Sequence, residues 1–465
     1  MNKVIQGDCL EKLKDLEDNS VDSIVTDPPY HLVSIVKRFG KEGSAPAKEG
    51  KDGSFKRLSG GFMGKTWDGV DENGKGIAYN VDMWKECLRV LKPGGHLLSF
   101  GGTRTYHRMA SAIEDAGFEV RDMIEWVYST GFPKSLNIGK AVDKLQGNER
   151  EILDYATRPD GSKPRTNVTA QSAQFGNSDS NDQRPTKGNS EWEGWGTALK
   201  PAHEPICMAR KPLAEKTVAS NVLKYGTGGI NIDESRVETE DNVMVKNGVN
   251  GFAQNYKSGE YSFTTQGRFP ANLIHDGSEE VRECFPETKV GARKAGQLRH
   301  TKEGDLNFTG DTYTVNNYPA NEGNASRFFK SIIYQAKASK SERNMGCEGL
   351  EDKAITEAKG NGLGRVCDIC GTSQLKPCNC ENNTWVLPTN NKNNHPTVKP
   401  IALMEYLIKM VTPKGGTVLD PFAGSGSTLV AAKQNGFQYI GIELTPEYIP
   451  IIEARLNALN QYKLL

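Results

Sequence analysis

Apolar positions along this chain repeat with two periods in turn, and that alternation sets its class. Val4-Ile5-Gln6 reads as a short strand, and Cys9 to Leu16 then spaces Cys9, Leu10, Leu13 and Leu16 as a helix does. Ser23 to Thr26 is the next strand and ends at Asp27. Asp82 to Leu91 reads as a helix that stops at Lys92-Pro93-Gly94-Gly95, and the strand His96 to Phe100 follows. Ala110 to Ala116 is helical up to Gly117, and Glu119 to Tyr128 is a strand with apolar Val120, Ile124, Trp126 and Tyr128. Ala202 to Ala209 reads as a strand again. The C-terminal stretch gives a helix at Ile401 to Val411, a strand at Thr417 to Asp420 and a helix at Ser427 to Asn435, then a strand at Tyr439 to Glu443 and a closing helix at Pro446 to Leu459. Strands alternating with helices predict an open, largely parallel sheet covered on both faces.

Three stretches break the pattern. Residues 40 to 77 are rich in Gly, Lys, Asp and Ser, with apolar anchors in Gly61-Phe62-Met63-Gly64-Lys65-Thr66-Trp67-Asp68. A loop of this length directly after Tyr30 reads as a lid, and a disordered insertion fits its composition equally. Residues 147 to 192 are polar with few apolar anchors. From 226 to about 330 lies an irregular region holding Lys289, Arg293, Lys294, Arg299 and Lys302 with no acid between them. A solvated basic face is the ordinary reading of such a run; the neighbouring Phe308, Tyr313 and Tyr318 open a nucleic-acid surface as the alternative. No internal repeat is visible.

Composition changes little in this picture. The 465 residues allow a large core and two or three units. Lys+Arg and Asp+Glu stand at 58 each, so any attraction to nucleic acid must come from local patches. No run of about 18 apolar residues exists to span a membrane, and Met1 to Asp8 carries no apolar signal region, so the expected location is cytoplasmic. Of nine cysteines, Cys9, Cys87, Cys207, Cys284 and Cys347 are scattered, as small buried hydrophobes usually are. The other four cluster. Cys367-x-x-Cys370 and Cys378-x-Cys380 put four thiolates within a short segment broken by Gly371 and Pro377, a set that can surround one structural Zn²⁺. The tighter second pair departs from the usual spacing, and free thiols or a redox pair are the alternative.

Two loops carry the chemistry. Asp27-Pro28-Pro29-Tyr30 follows a buried strand. The exocyclic amino nitrogen of a base is a poor nucleophile because its lone pair is delocalised into the ring. To accept a methyl group it must pyramidalise and shed a proton. The Asp27 carboxylate and the Pro28 carbonyl can each accept one of its N–H bonds, the fixed φ of Pro28 and Pro29 holds that carbonyl in place, and Tyr30 offers a flat face for stacking. A plain Asp-Pro turn is the competing reading. The second loop, Asp420-Pro421-Phe422-Ala423-Gly424-Ser425-Gly426-Ser427-Thr428, joins a strand to a helix. Its glycines let backbone approach a ligand. It lacks the P-loop lysine, and Leu429 stands where a dinucleotide fingerprint has its third glycine, which fits a nucleoside cofactor without pyrophosphate. Glu443 ends the next strand, where an acid meets ribose hydroxyls.

These motifs resemble the N6-adenine and N4-cytosine amino-methyltransferases of DNA. With Asp-Pro-Pro-Tyr ahead of Phe-x-Gly-x-Gly, the order resembles that of the family's β group, a circular permutation. His395-Pro396-Thr397-Val398-Lys399-Pro400 and Gln6-Gly7-Asp8-Cys9 match further family segments, and Gly131 to Asn137 and Leu199 to Pro205 resemble segments of phage and prophage members. The resemblance covers roughly 1–145, 200–237 and 394–459. It implies a doubly wound α/β, Rossmann-like sheet of seven strands, circularly permuted, with an inserted target-recognition region. It implies S-adenosylmethionine as cofactor and a base in double-stranded DNA, flipped out of the helix, as target. Asp27, Pro28, Pro29 and Tyr30 are then catalytic. Asp8, Cys9, Lys399, Asp420, Pro421, Phe422, Gly424, Gly426, Ser427, Thr428 and Glu443 bind the cofactor.

The expected organisation is a catalytic half at 1–145, a polar insertion at 146–198 and a return to the catalytic domain at 199–237. Target recognition falls at 238–330, a linker with the zinc knuckle (367–380) at 331–393, and the cofactor-binding half at 394–465. Asp at the first motif place favours adenine by family analogy, with N4-cytosine next. RNA, a protein amide, or a non-catalytic DNA-binding role are the competing readings, and a homodimer is frequent in the group. His203 and Glu204 read as a structural pair at a strand start, with a direct part in chemistry as the minority alternative.

Overall fold

The computed structural model describes residues 2–31, 76–131, 135–153, 186–239, 243–246, 261–264, 267–291, 298–300, 312–314, 321–332, 340–347, 350, 366–367, 385–386, 393, 395 and 397–462. The central element is a nine-stranded sheet. Its strands are β1 (Lys3–Gln6), β2 (Val21–Thr26), β3 (Leu91–Phe100), β4 (Glu119–Val127), β5 (His203–Arg210), β6 (Leu273–His275), β7 (Lys330–Ser331), β8 (Thr417–Asp420) and β9 (Gln438–Glu443). Across the sheet they run β1-β9-β8-β2-β3-β5-β4-β6-β7. Only β5 is antiparallel to its neighbours. The sheet is thus mixed α/β and parallel-rich, with two strands more than the seven that the family resemblance implies. The two come from the irregular stretch beyond residue 226, where β6 pairs with β4 and β7 with β6. Their apolar runs are too short for periodicity to separate from loop.

The described helices include α1 (Cys9–Leu13), α2 (Val81–Val90), α3 (Tyr106–Asp115), α4 (Ile138–Gln146), α5 (Val218–Tyr225), α6 (Ile401–Val411), α7 (Ser427–Gln434) and α8 (Ile449–Tyr462). Successive strand residues point to opposite faces, so each central strand feeds two cores. Ile24, Leu97, Cys207, Ala209, Leu419, Ile440 and Ile442 pack with α1, α2 and α3 around Trp84 and Ile113. Val25, Leu98, Ile206, Met208, Val418 and Tyr439 pack on the other side with Leu403, Leu407, Leu429 and Ile452 of α6, α7 and α8. The predicted bounds hold within a few residues, with one difference at β3. The Lys92-Pro93-Gly94-Gly95 stop does end α2, yet the chain enters the strand at once from Leu91, with a register shift opposite Val21 and Ser23 and Gly94 at φ +80°.

The sheet joins chain segments nearly four hundred residues apart. At the start of β2, Asp22 Oδ2 accepts from the Thr417 amide at 2.7 Å, and Ser23 Oγ lies 2.7 Å from Thr412 Oγ1. The β2–β8 ladder pairs Val418 with Ser23 and Leu419 with Ile24.

Contacts divide the chain into two compact units. The first holds the sheet: residues 1–129, 203–353 and 391–465. The second comprises residues 130–202 and 354–390. Within it Asn137 caps α4, and Gly147 ends that helix in the left-handed region. Arg150 Nη1 donates to Asp143 and, at 2.9 Å, to Glu193, to which Nη2 also donates at 2.9 Å. Of the cysteine cluster only the backbone of Cys367 is described, paired as Val366–Cys367 against Trp385–Val386. Cys370, Cys378 and Cys380 lie outside the described residues, as do most of the loop at 40–77 and residues 154–185 of the polar insertion. Among the described residues no group of His, Cys, Asp or Glu is arranged to hold a metal, and no helix is long and apolar enough to cross a membrane.

Candidate active site

The parallel strands β1, β9, β8 and β2 end side by side, at Gln6, Glu443, Asp420 and Thr26. From β8 the chain crosses through α7 to β9 on one side. From β2 it crosses through α2 to β3 on the other. The sheet order therefore reverses between β8 and β2, and open α/β sheets take ligands at the carboxyl ends of the strands at such a point. The two motif loops leave the sheet here.

A side-chain bond replaces the ladder where β2 and β8 part. Thr26 Oγ1 donates to Asp420 Oδ1 at 2.6 Å, across 394 positions. Thr428 Oγ1 donates to Asp420 Oδ2 at 2.6 Å, and the Phe422 amide to Oδ1 at 3.1 Å. Burial pushes the Asp420 carboxyl up to about 6 against these three donors, which favour its charged form. Asp420 and Thr428 thus shape the glycine loop and tie it to the strand that carries Asp27.

Other bonds fix the rest of that loop. Glu443 Oε2 accepts from the Gly424 amide at 2.7 Å, and its Oε1 from the Thr445 amide at 2.8 Å. Burial raises the Glu443 carboxyl above its ordinary range. The buried Arg455 of α8 donates to the Ser425 carbonyl at 2.6 Å and to Ser427 Oγ at 3.3 Å. Gly424 sits at φ +55°, and a Cβ there would stand 2.9 Å from His395 Nε2, so no larger residue fits. His395 lies edge-on to Tyr448 at 4.6 Å, and burial lowers its imidazole to about 4, keeping it neutral. On the neighbouring strand end, Asp8 caps α1 by accepting from Leu10 at 2.9 Å and Glu11 at 3.3 Å. Cys9 is buried, and burial pushes its thiol up to about 12, so it stays protonated.

Beside the glycine loop stands a compact charged cluster. Lys399 Nζ lies 2.9 Å from Asp27 Oδ2 and 2.9 Å from Glu204 Oε2. Tyr30 donates its hydroxyl to Asp27 Oδ1 at 2.9 Å, with Glu204 Oε2 at 3.2 Å, and Lys399 Nζ donates to the same hydroxyl oxygen at 3.1 Å. The ammonium also faces the Phe100 ring at 4.7 Å and the Tyr30 ring at 5.5 Å. The three charged side chains keep only 12 %, 20 % and 19 % of their surface, for Lys399, Asp27 and Glu204, so water screens them weakly. Burial alone would lower the lysine, but Asp27 and Glu204 together outweigh it and raise it. Burial, then Asp27 and Glu204, raise the Tyr30 phenol, which stays neutral. The Tyr30 carbonyl is held by Tyr79 at 2.8 Å and Thr105 at 2.9 Å, so the turn after Pro29 is anchored from two sides.

The structure brings Asp27 and Tyr30 together with Lys399, which was expected at the cofactor. It brings Asp420, Phe422, Gly424, Ser427, Thr428 and Glu443 into one loop cluster, with Asp8 and Cys9 on the adjoining strand end. Glu204, expected in a structural pair with His203, stands in this charged cluster instead. His203 and Glu204 do not form a pair: alternation along β5 sends the His203 ring to Glu125 on β4 and the Glu204 carboxylate to Lys399. The strand period held that signal, but nothing local said which face met Asp27.

One expected outcome concerns Asp420. Its folded-state carboxyl stands above its ordinary value of 3.8, so the folded protein binds the proton more tightly than the unfolded chain. This group's contribution is fully present below about pH 4 and is lost as pH rises through 6, by about 3 kcal/mol at most. Asp420→Asn removes that titration. Urea unfolding at pH 5 and pH 8 is expected to show a smaller decline for the variant than for the parent; equal declines would refute burial as the cause.

Comparison with known proteins bears on this geometry. The sequence profile of the N6_N4_Mtase family, described as DNA methylase, matches residues 21–454. The type II methyltransferase M2.DpnII of Streptococcus pneumoniae is 48 % identical over 67 residues, covering 14 % of this chain and 25 % of that protein. The type II methyltransferase M.HindIII of Haemophilus influenzae is 25 % identical over 241 residues, covering 49 % of this chain and 64 % of that protein. The DNA adenine methyltransferase YhdJ of Escherichia coli is 40 % identical over 85 residues, covering 17 % of this chain and 29 % of that protein. The chain thus matches less than two thirds of the length of each relative.

Proposed function

We propose, for a chain that belongs to the DNA methylase family, that it transfers a methyl group from S-adenosylmethionine to the exocyclic amino group of a base in double-stranded DNA, adenine N6 in the first place. One observation carries the reading. The Asp27 carboxylate, fixed by Lys399 and Tyr30, stands at the end of the strand that Thr26 ties to the glycine loop through Asp420.

The donor set fits the cofactor. Glu443 spends one lone pair of each oxygen on backbone amides, and the second can accept a ribose hydroxyl. Asp8, Cys9, Pro421, Phe422, Gly424 and Gly426 would line the same pocket. Asp420, Ser427 and Thr428 hold its shape through internal bonds. When bound, S-adenosylmethionine supplies an electrophilic methyl group. Asp27 and the Pro28 carbonyl accept the two N–H bonds of the target amine, and so return its lone pair from the ring to the nitrogen. The Tyr30 ring stacks on a base extruded from the duplex, since an amino group inside the stack is out of reach.

Motif order makes the domain a circular permutation, with the amine strand β2 ahead of the cofactor strand β8. Residues 147–192 and 238–330 are the segments for target recognition. The second includes antiparallel strand pairs, among them Glu287–Val290 with Asn321–Asn324, of the kind that can enter a groove. Cys367, Cys370, Cys378 and Cys380 would hold one structural Zn²⁺ per chain. Elemental analysis of the purified protein is expected to find one equivalent, and a metal-free protein would remove the knuckle.

Adenine is favoured by the adenine-specific relative and by the Asp that opens the motif; N4-cytosine is the second reading. Incubation with methyl-labelled cofactor and duplex DNA, RNA or protein is expected to label DNA alone and, after nuclease digestion, to yield N6-methyladenine. N4-methylcytosine would overturn the base assignment, and label in RNA or protein would overturn the polymer.

A further inference from the structure

We infer that Glu204 is a positioning residue of the amine site and the terminal proton acceptor, reached from Asp27 through the Tyr30 hydroxyl. This rests on the methyl-transfer reading above. The Tyr30 oxygen lies 2.9 Å from Asp27 Oδ1 and 3.2 Å from Glu204 Oε2, so a single hydroxyl bridges the two carboxylates. Lys399 spans the same two groups at 2.9 Å each. A buried acid pair without that cation would keep one proton between its members. The Lys399 charge offsets both acids, and the shared hydroxyl joins them into one path.

The step balances. When the nitrogen lone pair has formed its bond to the methyl carbon, and the methyl–sulfur bond has broken with its electron pair left on sulfur, the nitrogen carries a positive charge and an N–H bond must break. The electrons of that bond stay on nitrogen, and the proton bonds to Asp27. The Asp27 proton then passes to the Tyr30 oxygen as the Tyr30 hydroxyl proton passes to Glu204 Oε2. Asp27 is again a carboxylate, Tyr30 is again neutral, and Glu204 leaves as the carboxylic acid that solvent later deprotonates. The raised Tyr30 phenol suits a relay that must not itself remain ionised. His203, next to Glu204 in the chain, takes no part, because its ring is engaged by Glu125 on the opposite side of β5.

The test is single-turnover methyl transfer by the full chain carrying Glu204→Gln, Tyr30→Phe or both. The parent, Glu204→Asp and calorimetry of S-adenosylmethionine binding serve as references. Glu204→Gln is expected to slow transfer about 100-fold, to leave the KM for DNA and the cofactor affinity unchanged within error, and to be partly rescued by Glu204→Asp. Tyr30→Phe keeps the ring and cuts the same path, so the double variant is expected to be no slower than the slower single. Unchanged transfer in Glu204→Gln, a loss confined to KM, or fully multiplicative losses would overturn the relay. If Glu204→Gln fails to fold, the relay stands or falls on Tyr30→Phe and Glu204→Asp, where undiminished transfer in both would overturn it. A parent chain that binds cofactor and methylates nothing would overturn the underlying reading instead, and the two failures are thereby told apart.

Discussion

Replacing Asp27 by alanine is expected to abolish methyl transfer, with a loss of about 10³-fold or more, while cofactor affinity changes by less than about 1 kcal/mol. The carboxylate is the charged acceptor that the proposed chemistry places on the target amine. Its neighbours keep their places without it. Lys399 retains Glu204 at 2.9 Å, and the Tyr30 turn remains held through its carbonyl by Tyr79 and Thr105. The glycine loop is fixed by Asp420, Glu443 and Arg455, none of which bonds to Asp27. Calorimetry with S-adenosylmethionine and single-turnover transfer together decide the matter. Retained turnover would remove Asp27 from the chemistry, and lost cofactor binding would show that its role is structural.

Lys399→Met is expected to be the most destabilising single change at the site, by about 3 kcal/mol at pH 8. The methionine fills the space over the Phe100 and Tyr30 rings and removes the charge. Asp27 and Glu204 are then left nearly buried, sharing one hydroxyl and no cation. The repulsion between the two neighbouring carboxyl groups is greatest when both are charged. The deficit relative to the parent is expected to shrink toward pH 4 and to be complete by pH 8. In the parent, Lys399 is raised above its usual 10.5, so its own contribution is constant over that range. Urea unfolding at several pH values measures the difference directly, and a deficit equal at pH 4 and pH 8 would mean that packing, and not charge, is what Lys399 supplies.

Much of this arrangement is legible in the chain because it is local. Asp27-Pro28-Pro29-Tyr30 and Asp420 to Thr428 each follow a buried strand, and the strand period and the glycines that mark them act over a few residues. The bounds of α6 and β8 follow from apolar spacing and a Pro or Gly stop for the same reason. Strands β6 and β7 escaped because runs of three and two residues carry no period. For Glu204 the period gives two opposed faces and no hint of what each face meets, so sequence leaves a structural pair and a part in chemistry side by side.

Sequence alone determined the class, the two loops and the residue types on offer, since backbone preference and side-chain alternation are set by near neighbours. Only the tertiary structure decided that Thr26 bonds Asp420 and that Lys399 gathers Asp27, Glu204 and Tyr30 into one cluster. The long-range bonds of this cluster span from 174 positions, between Tyr30 and Glu204, to 394, between Thr26 and Asp420, and which of them form depends on strand order in the sheet. Strand order is settled by how both faces bury their apolar side chains together, a property of the whole chain that no local pattern records.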